Sequence, residues 1–196
     1  ERAIFYARGV LETLKKLRWS PDVIVCQGWM SAVVPLYIKT AYRDEASFIN
    51  SKVVFSAYNE MPKDAPVPNL KECLAFRNAK MEIIEGTGID FSKPESIGQL
   101  AIKFADGYIQ GEEGAQPELT EYAKQCGIFL QRFEHAAGIE DGAFSIVFIF
   151  LSVFVGHHEA LVEVVVVVDE VNLHACSLDG GHFDDERMVG VVNHDV

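Results

Sequence analysis

The sequence predicts an α/β fold, a parallel sheet flanked by helices. Three observations predict it. Short β-branched apolar runs recur, at 22–26 (DVIVC) and Lys52–Ala57 (KVVFSA), of the kind that fills strands buried on both faces. Amphipathic stretches with apolar residues three and four positions apart separate them. The connections are short, as strand–helix–strand units require. With 196 residues, 49% of them hydrophobic, the chain can bury a core and is too apolar for a disordered protein.

Each element has a local reason. Ala3, Ala7, Val10, Leu14 and Leu17 mark one face of a first helix, with Lys15, Lys16 and Arg18 in its last turn, where cations suit the dipole. Ser20-Pro21 then breaks it. After the 22–26 strand, residues 29–42 form a helix that Pro35 either kinks or starts late. A loop with three prolines follows the Lys52–Ala57 strand, over 59–68. Residues 69–84 read as one helix, with Leu70, Cys73, Leu74 and Met81 apolar. A helix over 96–105 leads to a short strand at Gly107–Gln110. Pro117 opens a further helix, with Glu118 and Glu121 near its positive end. A last strand is expected over 128–130.

Composition divides the chain after Phe133, into 1–133 and 134–196. The tail holds twelve of the 29 acidic residues but one of the 17 basic ones, Arg187. It holds all six histidines and fourteen valines, and no Lys, Pro, Tyr, Trp, Thr or Gln. Valine codons read on the opposite strand encode His, Asp, Asn and Tyr, so this acidic Val/His-rich tail has the composition of a foreign or frame-shifted segment. Two strands are expected in it, 162–175 (VEVVVVVDEVNLHA) and 145–155 (SIVFIFLSVFV), paired as a hairpin around Gly156, His157 and His158. His157, His158, Asp169, His174, His182 and Asp184 are of metal-ligand type, but their spacing fits no zinc or iron box, so no metal site is expected.

Several functional classes are excluded on charge and pattern. A net charge of −12 argues against nucleic-acid binding, which needs clustered Lys and Arg. The longest apolar stretch, 143–156, is fourteen residues, short of the roughly 18–20 that span a bilayer, and the start is not a signal peptide. No membrane partner is expected. Cys26, Cys73, Cys126 and Cys176 lack close pairing and read as reduced, buried thiols of a cytoplasmic protein. Neither a Walker loop nor a GxGxxG is present, so no nucleotide cofactor is expected. In parallel sheets, ligands bind beyond the carboxyl ends of the strands. That directs attention to residues 27–30 and 58–61. Glu112 and Glu113, near the start of the Pro117 helix, read as a solvated acidic pair.

Those two loops carry a family resemblance. The segment LKKLRWSPDVIVCQGWMSAVVPLYIKTAYRDEASFINSKVVFSAYN resembles the catalytic N-terminal half of glycogen and starch synthases. Trp19, Pro21, Asp22, Val23, Ile24, Trp29, Ala32, 34–37 (VPLY) and 52–55 (KVVF), then Asn59, match the family's motifs in order. The stretch AIKFADGYIQGEEGAQPELTEYAK looks like its later strand and helix. The resemblance covers about residues 1–130 and is nearest to a shortened Bacteroides-type group. It implies one Rossmann-like half of the two-domain GT-B glycosyltransferase architecture. The implied reaction transfers glucose from a nucleotide-sugar, usually ADP-glucose, to the non-reducing end of an α-1,4-glucan. Trp29 would stack on a sugar face and Asn59 would meet a sugar hydroxyl; the resemblance implies no cofactor. Where the family has His-Asp-Trp-His, this chain has Gln27, Gly28, Trp29 and Met30, and Tyr58 replaces the His before Asn59. The family's Lys-x-Gly-Gly-Leu loop and second domain are not among these residues, so catalysis by this chain alone is not expected. A non-catalytic glucan-binding or regulatory relative and a protein-interaction scaffold are the alternatives.

Overall fold

The computed structural model describes residues 1–59, 64, 66–112, 115–132, 164–168 and 173–177. Helix α1 (Arg2–Leu17) buries Ala3, Ile4, Ala7, Leu11 and Leu14 on one stripe, and Arg18 closes it in a left-handed conformation at φ 56°. Strand β1 (Val23–Gln27) follows, then a single 3-10 turn (Trp29–Ser31) and α2 (Val34–Lys39). Pro35 sits in the first turn of α2, where no N–H is needed, so the proline delays the helix start instead of kinking it. Strand β2 (Lys52–Ala57) has the expected bounds.

The expected helix over 69–84 is instead two, α3 (Leu70–Leu74) and α4 (Met81–Glu85), separated by an antiparallel bridge between Phe76 and Ala79. Arg77 between them has φ 50° and cannot continue a helix. Then come α5 (Ser96–Phe104), β3 (Gly107–Gln110), α6 (Pro117–Gln125) and β4 (Phe129–Arg132). In the acidic tail, β5 (Val164–Val168) and β6 (Leu173–Ser177) form an antiparallel pair. The 162–175 run is therefore two strands, not one. The expected partner run 145–155 and its turn at His157 and His158 lie outside the described residues.

Among the described residues the sheet order is β4-β3-β2-β1-β5-β6. Strands β1 to β4 are parallel, and β5 adds in parallel on the other side of β1. Because β1 to β4 step in one direction, right-handed crossovers put α2, α5 and α6 on the same face. These helices pack in a row, α2 on α5 and α5 on α6, with α1 against α2. The register places Ile24 beside Val53 and Cys26 beside Phe55, which lies beside Tyr108. Those residues and Ala57 join the helices in one apolar core. Val23, Val25, Val54 and Ile109 point the other way and are also buried, which is why β1 and β2 read as unbroken apolar runs. Burial pushes the Cys26 thiol up, so it stays a neutral apolar group. Cys73 is half-buried but Cys126 is exposed, against the expectation that the thiols are buried.

One polar cluster ties the break at Arg77 to α1. Arg77 Nη2 lies 3.0 Å from Glu12 Oε1, and its guanidinium lies over the rings of Tyr42 (4.8 Å) and Phe76 (5.0 Å). The Tyr42 hydroxyl donates to the same Glu12 oxygen at 2.7 Å, and Lys15 pairs with Glu45 at 2.6 Å. The hydrogen bond from Tyr42, then the charges of Lys15 and Arg77, hold the Glu12 carboxyl below its ordinary range against the opposing effect of burial. A depressed carboxylate adds stability above its unfolded pKa and loses it as the pH falls through the folded value. Tyr42→Phe is expected to cost about 1 kcal/mol at pH 7. The difference from wild type should be smaller at pH 3, closer to the lowered Glu12 value. Urea midpoints of both proteins at the two pH values check it.

Candidate functional site

The site is the rim at the carboxyl ends of β1, β2 and β3, and three backbone-level ties build it. At the end of β1, Gly28 has φ 70°, a conformation that glycine adopts without a steric cost. This turns the chain so that the Gly28 N–H donates to the Ser56 carbonyl at 3.0 Å, one step beyond the strand ladder. The buried Ser31 hydroxyl lies 2.7 Å from the Gln27 carbonyl and 3.0 Å from that of Gly28. It pins the 3-10 turn that carries Trp29 onto the end of β1.

The second tie joins β2 to β3. The Gly111 N–H donates to the Ala57 carbonyl at 2.8 Å. A Cβ at Gly111 would lie 2.6 Å from Tyr58 Cζ and 2.9 Å from the Ala57 oxygen. Glycine is needed there for close approach, because the Tyr58 ring occupies that space. In the third tie, the backbone N–H of Asn59 donates to Glu112 Oε1.

The two sequence-predicted site residues therefore sit on turns linked through the Gly28–Ser56 bond. Trp29 is half-buried and packs against the apolar core, while Asn59 is exposed. Glu112 corrects the sequence reading. It is half-buried and engaged with the β2 turn, and α6 does not begin until Pro117. Glu113 lies outside the described residues. The signal that could have found Glu112 is the convergence of loops after successive parallel strands, which applies to β3 as much as to β1 and β2.

Among the described residues, Gln27, Tyr58, Asn59 and Glu112 bring amide, phenol and carboxylate groups to this rim, beside the Trp29 ring. Such a set hydrogen-bonds hydroxyls and stacks on an apolar face; it does not neutralise an anion. The far end of the sheet is built differently. There Asp106 Oδ2 lies 2.6 Å from Lys39 Nζ and accepts the Val53 N–H at 2.8 Å, a structural clamp between α2 and β2. A groove of about 550 Å³ is lined by Ile4, Phe5, Arg8, Gly9, Glu12 and Cys73 on α1 and α3, and none of the rim residues lines it.

Among the described residues, no group of three or more His, Cys, Asp or Glu is placed to hold a metal ion. Of the candidate metal ligands in the tail, His174 falls on β6; His157, His158, Asp169, His182 and Asp184 lie outside the described residues. No helix among the described residues is long and apolar enough to cross a membrane.

Comparison with known proteins agrees with this layout. The family model for the starch synthase catalytic domain matches residues 1–127. The chain is 30% identical over 145 residues to a glycogen synthase of Desulforudis audaxviator, covering 72% of this chain and 28% of that protein. It is 42% identical over 108 residues to a glycogen synthase of Chlorobaculum parvum, covering 54% of this chain and 21% of the relative. Over 59 residues it is 46% identical to that of Chlorobium luteolum, covering 30% and 12%. The chain thus spans less than a third of the length of these relatives. No solved structure matches it.

Gly111→Ala tests how tightly the rim is built. The new methyl group must displace the Tyr58 ring and press on the Ala57 carbonyl. The expected cost is about 1–3 kcal/mol, with a moved Asn59 turn. Denaturant midpoints read the first effect and the Asn59 amide resonance reads the second.

Proposed function

The chain belongs to the starch synthase catalytic-domain family, and on that footing we propose that it forms one wall of a sugar-nucleotide crevice. The reaction is transfer of glucose from a nucleotide-sugar donor, ADP-glucose, to the non-reducing end of an α-1,4-glucan in the cytoplasm. The chain's share of that task is to hold sugar. Trp29 offers a ring face, and Asn59 offers an amide to a hydroxyl. The observation that carries this reading is the linkage of the two turns at one rim, through Gly28 and Ser56, beside amide, phenol and carboxylate groups.

A departing diphosphate and an oxocarbenium-like sugar need cations and oriented dipoles around them. Gln27, Tyr58 and Asn59 supply no positive charge. We assign the phosphate contacts to parts of the enzyme beyond this half-site. A half-cleft does not exclude water, so the chain alone binds without turnover. Residues 1–133 constitute this wall in our reading, and the acidic tail 134–196 takes no part in sugar recognition.

A second reading, a non-catalytic glucan-binding relative, is favoured by Gly28 and Tyr58 standing where the family has an acid and an imidazole. Titration of the 196-residue chain with ADP-glucose and with maltohexaose, followed by NMR, separates the readings. Binding of ADP-glucose, weakened about five- to tenfold by Asn59→Ala, supports the transferase wall. Maltohexaose binding without donor binding supports the glucan module. Binding of neither leaves a protein-interaction scaffold.

A further inference from the structure

The search of the rim leads to Glu112, which the sugar-holding assignment above does not use. Its Oε1 accepts the backbone N–H of Asn59. The residue is half-buried, and this bond engages one of its two carboxylate oxygens. Gly111, one residue earlier, is buried and fixed by its own bond to the Ala57 carbonyl and by the Tyr58 ring against it. The carboxylate therefore stands on a backbone with little freedom, with one oxygen committed to the Asn59 turn. It lies on the turn joined to Asn59, whose own turn is linked to that of Trp29.

We propose that Glu112 is a sugar-binding residue of this crevice: Oε1 fixes the Asn59 turn, and Oε2 accepts a hydroxyl hydrogen bond from a glucosyl ring. The proposal rests on the transferase or glucan-binding reading above. A carboxylate is the strongest neutral-sugar acceptor among the described rim groups, because hydrogen bonds to charged acceptors exceed those to amides and phenols. A polyol pays no charge penalty in meeting it, whereas a phosphate would be repelled. Glu112 thereby also discriminates, favouring the glucan or the glucosyl moiety over a free nucleotide phosphate at this point of the rim.

Glu112→Gln separates the two oxygens. A glutamine carbonyl still accepts the Asn59 N–H, while its NH2 group replaces the second acceptor by a donor. Maltohexaose and ADP-glucose titrations of wild type, Glu112→Gln and Asn59→Ala are followed by calorimetry, with the Asn59 amide resonance recorded in each chain that retains Asn59. The expected result is about tenfold weaker sugar binding by Glu112→Gln with an unmoved Asn59 amide. A thermal midpoint within about 2 °C of wild type certifies the fold. A Gln variant that binds sugar as wild type does overturns the contact. So does a loss of binding that comes with a shifted Asn59 amide, which would make Glu112 a positioning residue. If Asn59→Ala weakens binding and Glu112→Gln does not, this inference alone fails. If wild type binds neither sugar, the functional reading fails first and this one with it.

Discussion

Everything at the rim depends on the parallel pairing of β1 with β2. Its register sets Val23 against Lys52 and carries through to Gln27 against Ser56. A shift of one residue would turn Ile24 and Cys26 away from the helices and bring Val23 and Val25 in. It would also carry Gly28 past the Ser56 carbonyl that it now meets. Val23, Ile24, Val25 and Cys26 are all buried, so both faces of β1 are packed and the bond at Gly28 marks its register against β2. The turns after the two strands are neighbours because the strands are.

The rim and the far end of the sheet divide the chemistry between them. At the far end, Asp106 meets a lysine and a backbone N–H, and its charge is spent on holding α2 to β2. At the rim, the ties are made mostly by backbone groups. Gly28, Gly111 and the Asn59 N–H fasten one loop to the next. This arrangement follows from close backbone approach, which the two glycines permit.

Among the described residues, the acidic tail joins this framework through β5. Val164–Val168 adds to the free edge of β1, so β1 becomes interior to the sheet, flanked by β2 and β5. A five-valine run satisfies any apolar edge it is offered, since β-branched side chains suit a pleated, buried surface. The family match ends at residue 127, before this segment.

What is written in local sequence could be read without coordinates. The bounds of β2 and β3, the buried stripe of α1 except its expected end at Leu17, which is exposed, and Pro117 opening α6 follow from side-chain periodicity and φ restriction within a few residues. The parallel pairing followed from short strand–helix–strand connections. The family, too, was legible, because its motifs lie in the two turns that the parallel pairing brings together. The rest depends on contacts far apart in the chain. The 69–84 segment has the periodicity of one helix. It breaks because Arg77 adopts a left-handed conformation and reaches Glu12, 65 positions earlier, and the Tyr42 ring. Glu112 read as a solvated acid because nothing near it in sequence needs a carboxylate. Its partner is the Asn59 N–H, 53 positions away. A partner at that separation leaves no periodic trace, and it became visible once the sheet had laid the third turn beside the second.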